Sequence, residues 1–180
     1  VKPKIKWPND IFVNGKKISY ATSMGQKAFQ KEQLEDLGEK LKVFSAVSVR
    51  EPSTVSLLES VNIKATWCVD PVFLLDVSDY DKFIKPINEP DYMMVYLVTP
   101  SKLLEDCIEY LSKKYNLKVI LCSGFSKKCT CDKFIKDLGP DEMLSYIKNA
   151  KIVLSSSFHA TAFSLIFEKQ FFTILPGEHT

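Results

Sequence analysis

The sequence contains no Gly-x-Gly-x-x-Gly, no Gly-x-x-x-x-Gly-Lys-Ser/Thr, no Gly-x-Ser-x-Gly and no His-Glu-x-x-His. The main support for a dinucleotide fold, a P-loop enzyme, an α/β-hydrolase and a zinc protease is therefore missing. No apolar run approaches the roughly 18 residues that suggest a membrane span, and the opening VKPKIKWPND lacks the apolar stretch of a signal peptide. A soluble, cytoplasmic protein is expected. An excess of one charge is absent too: 24 Lys plus Arg stand against 22 Asp plus Glu, for a net charge of +2. That balance gives no electrostatic footprint for nucleic acid, so any basic function must be local. No solenoid-type repeat and no low-complexity tract is visible.

What is present is ordinary globular material: 180 residues, 46% hydrophobic and 26% charged, enough for one large or two small cores. The five cysteines, an odd number, fit reduced thiols better than a disulfide framework. Cys122, Cys129 and Cys131 lie close together in LCSGFSKKCTCDKF. A structural zinc site normally takes four ligands, and no fourth stands nearby, so a loop carrying thiols is the expectation.

Short apolar runs alternate with helical periods, which is the mark of strands joined by crossover helices into a parallel sheet. In the first unit KKISYATS (16–23) reads as a strand, Leu34, Leu37 and Leu41 recur at helical spacing, and AVSVR (46–50) reads as a second strand. Ser53 or Thr54 is expected to cap a short helix, and ATWCVDP supplies a third strand ending at Asp70. DVSDYDKFIKPINEP is rich in Asp and Pro and reads as a linker over 77–90.

The second unit opens with YMMVYLV (92–98), a run suited to a strand buried on both faces. Leu103, Leu104, Cys107, Ile108 and Leu111 then share a helical face. LKVILCS, KIVLSSS and FFTILP read as further strands, with Met143, Leu144 and Ile147 striping the helix that Gly139-Pro140-Asp141 opens. SFHATAFSLIFEK reads as the last helix. The expected fold class is α/β, with two Rossmann-like doubly wound parallel-sheet units and ligands at the carboxyl ends of the strands. Residues 1–76 are expected to form a partial first unit and 91–180 the second, with a closing helix expected beyond LPGEHT.

The strongest chemical signal is Leu154-Ser155-Ser156-Ser157-Phe158-His159, where a buried strand ends in hydroxyls just before a helix begins. A helix start offers backbone N–H groups and a positive dipole end to an anion. A histidine there can donate a proton, because imidazole titrates near physiological pH. Ser156 or Ser157 acting only as a helix cap explains the same pattern about equally well. Arg50, at another strand end, can hold a phosphate or carboxylate, and Glu51 can orient it or a sugar hydroxyl. A plain structural ion pair is the blander reading of those two residues. Asp70-Pro71 ends a strand, where the carboxylate either faces a ligand or starts a turn. Asp137, Gly139 and Asp141 are explained by helix capping.

Taken in order, GKKISYATSMG, FSAVSVREPSTVSLLE, CVDPVFLL and LGPDEMLSYIKNAKIVLSSSFHATAFSLIFEKQFF resemble the polysaccharide pyruvyl transferase family over roughly residues 15–176. The resemblance implies a GT-B-like arrangement of two domains. It also implies transfer of the enolpyruvyl unit of phosphoenolpyruvate onto sugar hydroxyls, as a ketal, during surface-polysaccharide synthesis. The implied partners are phosphoenolpyruvate and a sugar or lipid-linked glycan acceptor, with no cofactor and no metal. His159 would bind or protonate the donor. Arg50, Glu51, Ser156 and Ser157 would bind it, and Asp70 would lie on the acceptor side. Ala160 stands where the family has glycine, and its methyl is expected to crowd a ligand's approach to the backbone.

Family members usually carry more of the first domain upstream, so the first unit is expected to be incomplete and the isolated fragment inactive. The stretch from Lys6 to Lys17 looks like the KWPND segment of biotin protein ligases, whose separate Gly- and Arg-rich loop is absent, and is read as incidental. The alternatives are a GT-B-like glycosyltransferase using a nucleotide sugar and a non-catalytic fragment of the fold.

Overall fold

The computed structural model describes residues 10–25, 29–123 and 129–175. The chain divides between Leu74 and Leu75 into two units, each with its own sheet.

The first unit begins with a hairpin of β1 (Asp10–Val13) and β2 (Lys16–Thr22). Its turn residues Asn14 and Gly15 have φ of 49° and 76°, the positive values that a two-residue turn of the Asn-Gly type requires. Residues 6–9 of the ligase-like stretch lie outside the described residues, and the rest of it forms this hairpin. β2, β3 (Ala46–Val49) and β4 (Ala65–Trp67) run parallel, in the sheet order β1-β2-β3-β4.

Helix α1 (Lys31–Leu41) crosses from β2 to β3 and buries Leu34, Leu37 and Leu41, one stripe at helical spacing. It passes so close to Val61 that a Cβ at Gly38 would sit 3.1 Å from the Val61 side chain. Helix α2 (Pro52–Glu59) starts at Pro52 with Glu51 as its cap, not at Ser53 or Thr54. Proline's fixed φ and missing N–H suit that first position. Val47 and Val49, two apart on β3, meet the α1 leucines, Leu58 and Ile63 in one core on one face of the sheet.

The other face of β3 is polar at Ser48. β2 bulges opposite it: the register shifts between Ser19 and Thr22, and Ala21 has a φ of 50°. Ser48 Oγ accepts from the Ala21 N–H at 3.0 Å and donates to the Ser19 carbonyl at 3.0 Å. A side chain thus replaces the ladder bond that the bulge removes.

In the second unit the segment expected as a linker is packed against helices. It forms α3 (Val77–Tyr80) and a 3₁₀ turn, Asp81–Phe83. Tyr80 is buried edge-on to Phe163 and Phe167, at centroid distances of 5.1 and 6.3 Å. The Lys85 N–H donates to Ser145 Oγ at 2.9 Å, and Lys148 pairs with Asp81. The Asp and Pro content that suggested a linker gave no sign of these distant partners.

The second sheet is wholly parallel, in the order β7-β6-β5-β8-β9. Its strands are β5 (Tyr92–Tyr96), β6 (Lys118–Cys122), β7 (Lys133–Ile135), β8 (Ile152–Ser155) and β9 (Gln170–Thr173). Four of these match the sequence reading; β7, three residues long, was not expected. The helices are α4 (Lys102–Tyr115), α5 (Pro140–Asn149) and α6 (Phe158–Ile166).

Alternation along the strands sorts the residues into two apolar layers. Met93, Val95, Val119, Leu121, Ile152 and Leu154 meet Leu104, Ile108 and Leu111 of α4. Met94, Ile120, Cys122 and Val153 meet Leu144, Ile147, Ala160 and Phe167. Leu103, expected on the buried stripe of α4, is 60% exposed. Among the described residues no helix is long and apolar enough to cross a membrane.

Candidate functional site at the strand ends

In each unit the residues singled out by chemistry fall at the carboxyl ends of parallel strands. In the second unit β5 lies between β6 and β8, so the chain leaves β5 toward one side and returns later on the other. The carboxyl ends of β5 and β8, where the strand order reverses, are the usual ligand position of a doubly wound sheet.

The loop after β8 stands at this reversal and is held from within. Ser155 Oγ donates to the Tyr96 carbonyl at 3.1 Å and accepts from the Ser157 N–H at 2.8 Å. Ser156 Oγ accepts from the Val98 and Thr99 N–H groups at 3.1 and 3.0 Å, pinning the loop after β5 to the loop after β8. Ser157 caps α6 and accepts from the Ala160 N–H at 3.5 Å. The Thr161 hydroxyl donates to the Ser157 carbonyl at 2.9 Å and shares a 2.7 Å hydrogen bond with Thr173 at the end of β9. Ser156 and Ser157, expected as donor ligands, therefore also build the loop.

His159 is exposed in the first turn of α6, beside the positive end of the helix dipole. The Phe158 ring meets it edge-on, with centroids 5.3 Å apart and planes at 84°. Ala160 is fully buried, with its methyl in the core shared with Val153 and Phe167. The expected crowding is thus corrected: the side chain points into the protein, away from the exposed start of the helix.

In the first unit, Arg50 and Glu51 follow β3 directly. Arg50 forms an ion pair with Asp70, whose side chain is 4% exposed against 25% for the arginine. Asp70 also accepts from the Val72 N–H at 3.1 Å, at the start of the 3₁₀ turn Pro71–Leu74. Asp70 was expected on the acceptor side; its contact with Arg50 gives it a positioning task. Glu51 Oε1 accepts from the Ser23 hydroxyl at 2.6 Å, and Oε2 lies 3.5 Å from the Thr54 hydroxyl. Arg50 and Glu51 thus pair with different partners.

Sequence reasoning missed two residues here. Ser23 enters through its bond to Glu51, and Trp67 through its indole N–H, which donates to the Arg50 carbonyl at 2.9 Å. Neither belongs to a chemical motif. Position at the end of a parallel strand was the one signal available for both.

The cysteine cluster separates in space. Cys122 is buried in one apolar layer of the second sheet, and Cys129 and Cys131 pack against the other. Burial pushes the Cys122 thiol up to about 12. Among the described residues no group of three or more His, Cys, Asp or Glu is placed to hold a metal ion.

Two solved structures are similar to this chain. UDP-N-acetylglucosamine 2-epimerase from Rickettsia bellii matches with a TM-score of 0.52 at 15% identity, over 82% of this chain and 47% of that one. UDP-GlcNAc 2-epimerase from Methanocaldococcus jannaschii matches with a TM-score of 0.45 at 14% identity, over 73% and 46%. The chain thus spans about half the length of these structures. The first of them supports a GT-B-like α/β arrangement with parallel sheets. No curated protein matches the chain. Residues 9–177 match the family Polysaccharide pyruvyl transferase, nearly the whole length, and the chain belongs to that family.

Proposed function

We propose that the protein transfers the pyruvyl unit of phosphoenolpyruvate to two hydroxyls of a sugar in a surface glycan, forming a ketal and releasing inorganic phosphate. The observation that carries this reading is the exposed His159 in the first turn of α6, which follows β8 where the strand order of the second sheet reverses. An acid there protonates the methylene carbon of the donor, and the adjacent carbon becomes cationic. One sugar hydroxyl attacks that carbon and loses its proton. The C–O bond to phosphate then breaks, and a second hydroxyl closes the ketal as its proton leaves with the phosphate. His159 supplies the first proton.

The start of α6 favours the donor's negative charge. In the first unit, Arg50 offers a guanidinium to an anionic group. Asp70 holds that guanidinium in place. The steps as written need no cofactor.

The test is phosphoenolpyruvate titration followed by histidine NMR, paired with release of phosphate in the presence of a glycan acceptor. Saturable shifts at His159 and loss of turnover in His159→Ala are expected; full activity in that variant would overturn the assignment. A second reading follows from the epimerase neighbours, whose names include a uridine diphosphate sugar. On that reading the helix start would hold a diphosphate, and uridine diphosphate, not phosphoenolpyruvate, would shift His159.

A further inference from the structure

The first unit leaves an indole in solvent at the place where its parallel strands end. Trp67 is the last residue of β4 and is 59% exposed. Tryptophan is usually well buried, because leaving so large an apolar surface in water is unfavourable. Its orientation is nonetheless fixed. The indole N–H donates to the Arg50 carbonyl at 2.9 Å, and Trp67 lies in register with Val49, the residue just before Arg50. The polar edge of the ring is thereby tied down on the neighbouring strand.

The residues that follow the neighbouring strand are polar. Arg50 and Glu51 follow the neighbouring strand, and Glu51 accepts the Ser23 hydroxyl through one oxygen. Its other oxygen lies at the outer limit of hydrogen bonding to Thr54, 3.5 Å away, and keeps capacity to accept a further hydroxyl. An exposed aromatic ring at the end of β4, with Arg50 and Glu51 following the neighbouring strand, matches the two characters of a pyranose, which presents C–H groups on its faces and hydroxyls on its rim. Sites for small ligands combine these elements, an apolar or aromatic wall with a few placed polar groups.

We infer that Trp67 is the platform on which a pyranose of the acceptor glycan stacks, with Glu51 oriented toward its hydroxyls. This deepens the transferase reading and rests on it. Trp67 is a positioning residue here: it holds the sugar and takes no part in proton transfer.

The chain has two tryptophans, at positions 7 and 67, so Trp7→Phe leaves Trp67 as the one indole reporter. Emission of that variant is followed while methyl glycosides of galactose, glucose and mannose are added, and phosphoenolpyruvate is titrated separately with the His159 NMR signal as readout. The expected result is a saturable emission change with at least one glycoside, at concentrations on the order of 1 mM. In the full chain, Trp67→Ala should abolish glycoside binding, measured by saturation-transfer NMR, and Trp67→Phe should restore part of it because the aromatic face returns. Both variants should keep the far-UV circular dichroism of the parent and its phosphoenolpyruvate response.

No emission change with any glycoside while phosphoenolpyruvate still shifts His159 would overturn the platform and leave the transferase reading standing. A change with uridine diphosphate alone would overturn it in favour of base stacking. Glycoside binding without a phosphoenolpyruvate response would support the platform and count against the donor assignment instead.

Discussion

The two strand-end sites handle polarity in opposite ways. In the first unit, charged side chains are paired with one another or with hydroxyls: Arg50 with Asp70, Glu51 with Ser23. In the second, neutral serines hold the backbone, and an exposed histidine follows them at a helix start. A site of the first kind offers a pre-oriented charge, but a ligand must compete with the resident partner. A site of the second kind offers a shaped loop and a dipole. On the proposed reading, reaction chemistry falls to the second unit and orientation to the first.

The largest effect expected from breaking this contrast is at His159. His159→Ala should lower turnover about 10²–10⁴-fold, the range for loss of a general acid, with folding unaffected because the side chain is exposed. Steady-state phosphate release checks it. A fall of similar size in Arg50→Ala would show that the two sites share the chemistry equally.

Next in size is Asp70→Ala. It leaves Arg50 and the Val72 N–H without their carboxylate, and removing one partner of a buried pair costs about 3–5 kcal/mol. Arg50 is a quarter exposed and recovers some solvation, so about 2–3 kcal/mol is expected from urea unfolding. Ser48→Ala follows, at about 1–2 kcal/mol, since the Ala21 N–H that it accepts from lies at a fully buried residue. Hydrogen exchange at Ala21 should report the loss directly.

The core of the second unit gives a pH-dependent prediction. The Cys122 thiol is held up to about 12 by burial, while in the unfolded chain it ionises near 9.0. Above pH 9 the unfolded state therefore binds fewer protons than the native one, and stability falls as pH rises from about 9 toward 12. The expected loss is about 1.4 kcal/mol by pH 10. Comparing unfolding of the parent with Cys122→Ala across this window isolates the term. The half-buried Cys68 of the first unit should react with alkylating agents in the native state, and Cys122 only on unfolding.

How much of this was legible in the sequence depended on whether the signal was periodic or pairwise. The leucines of α1, the apolar run of β5 and the Gly139-Pro140 helix start were all readable, because each pattern repeats within its own element. β7 was not readable: Lys133 to Ile135 is a strand because it pairs with Ile120 to Cys122, a relation between distant residues. Tyr80 was hidden for the same reason, since its partners Phe163 and Phe167 lie far along the chain. At the sites, His159 and Arg50 stood out by residue type and position. The pairing of Arg50 with Asp70 and the anchoring of Trp67 needed the sheet register that brings β3 beside β4.

The smallest effect is the one that separates two roles for Ser156. Its hydroxyl accepts from the Val98 and Thr99 N–H groups, of which Val98 is 44% exposed, so water can replace part of what Ser156→Ala removes. The cost should be about 0.5–1 kcal/mol, with faster exchange at those two amides. Accepting two bonds still leaves the hydroxyl proton available to a ligand. If the serine acts mainly by holding the loop, phosphoenolpyruvate binding should weaken only slightly, and the weakening should follow the increase in exchange. A tenfold or greater loss of affinity with both amides still protected would instead make Ser156 a direct donor ligand, and the second site would then bind through side chains, as is proposed for the first.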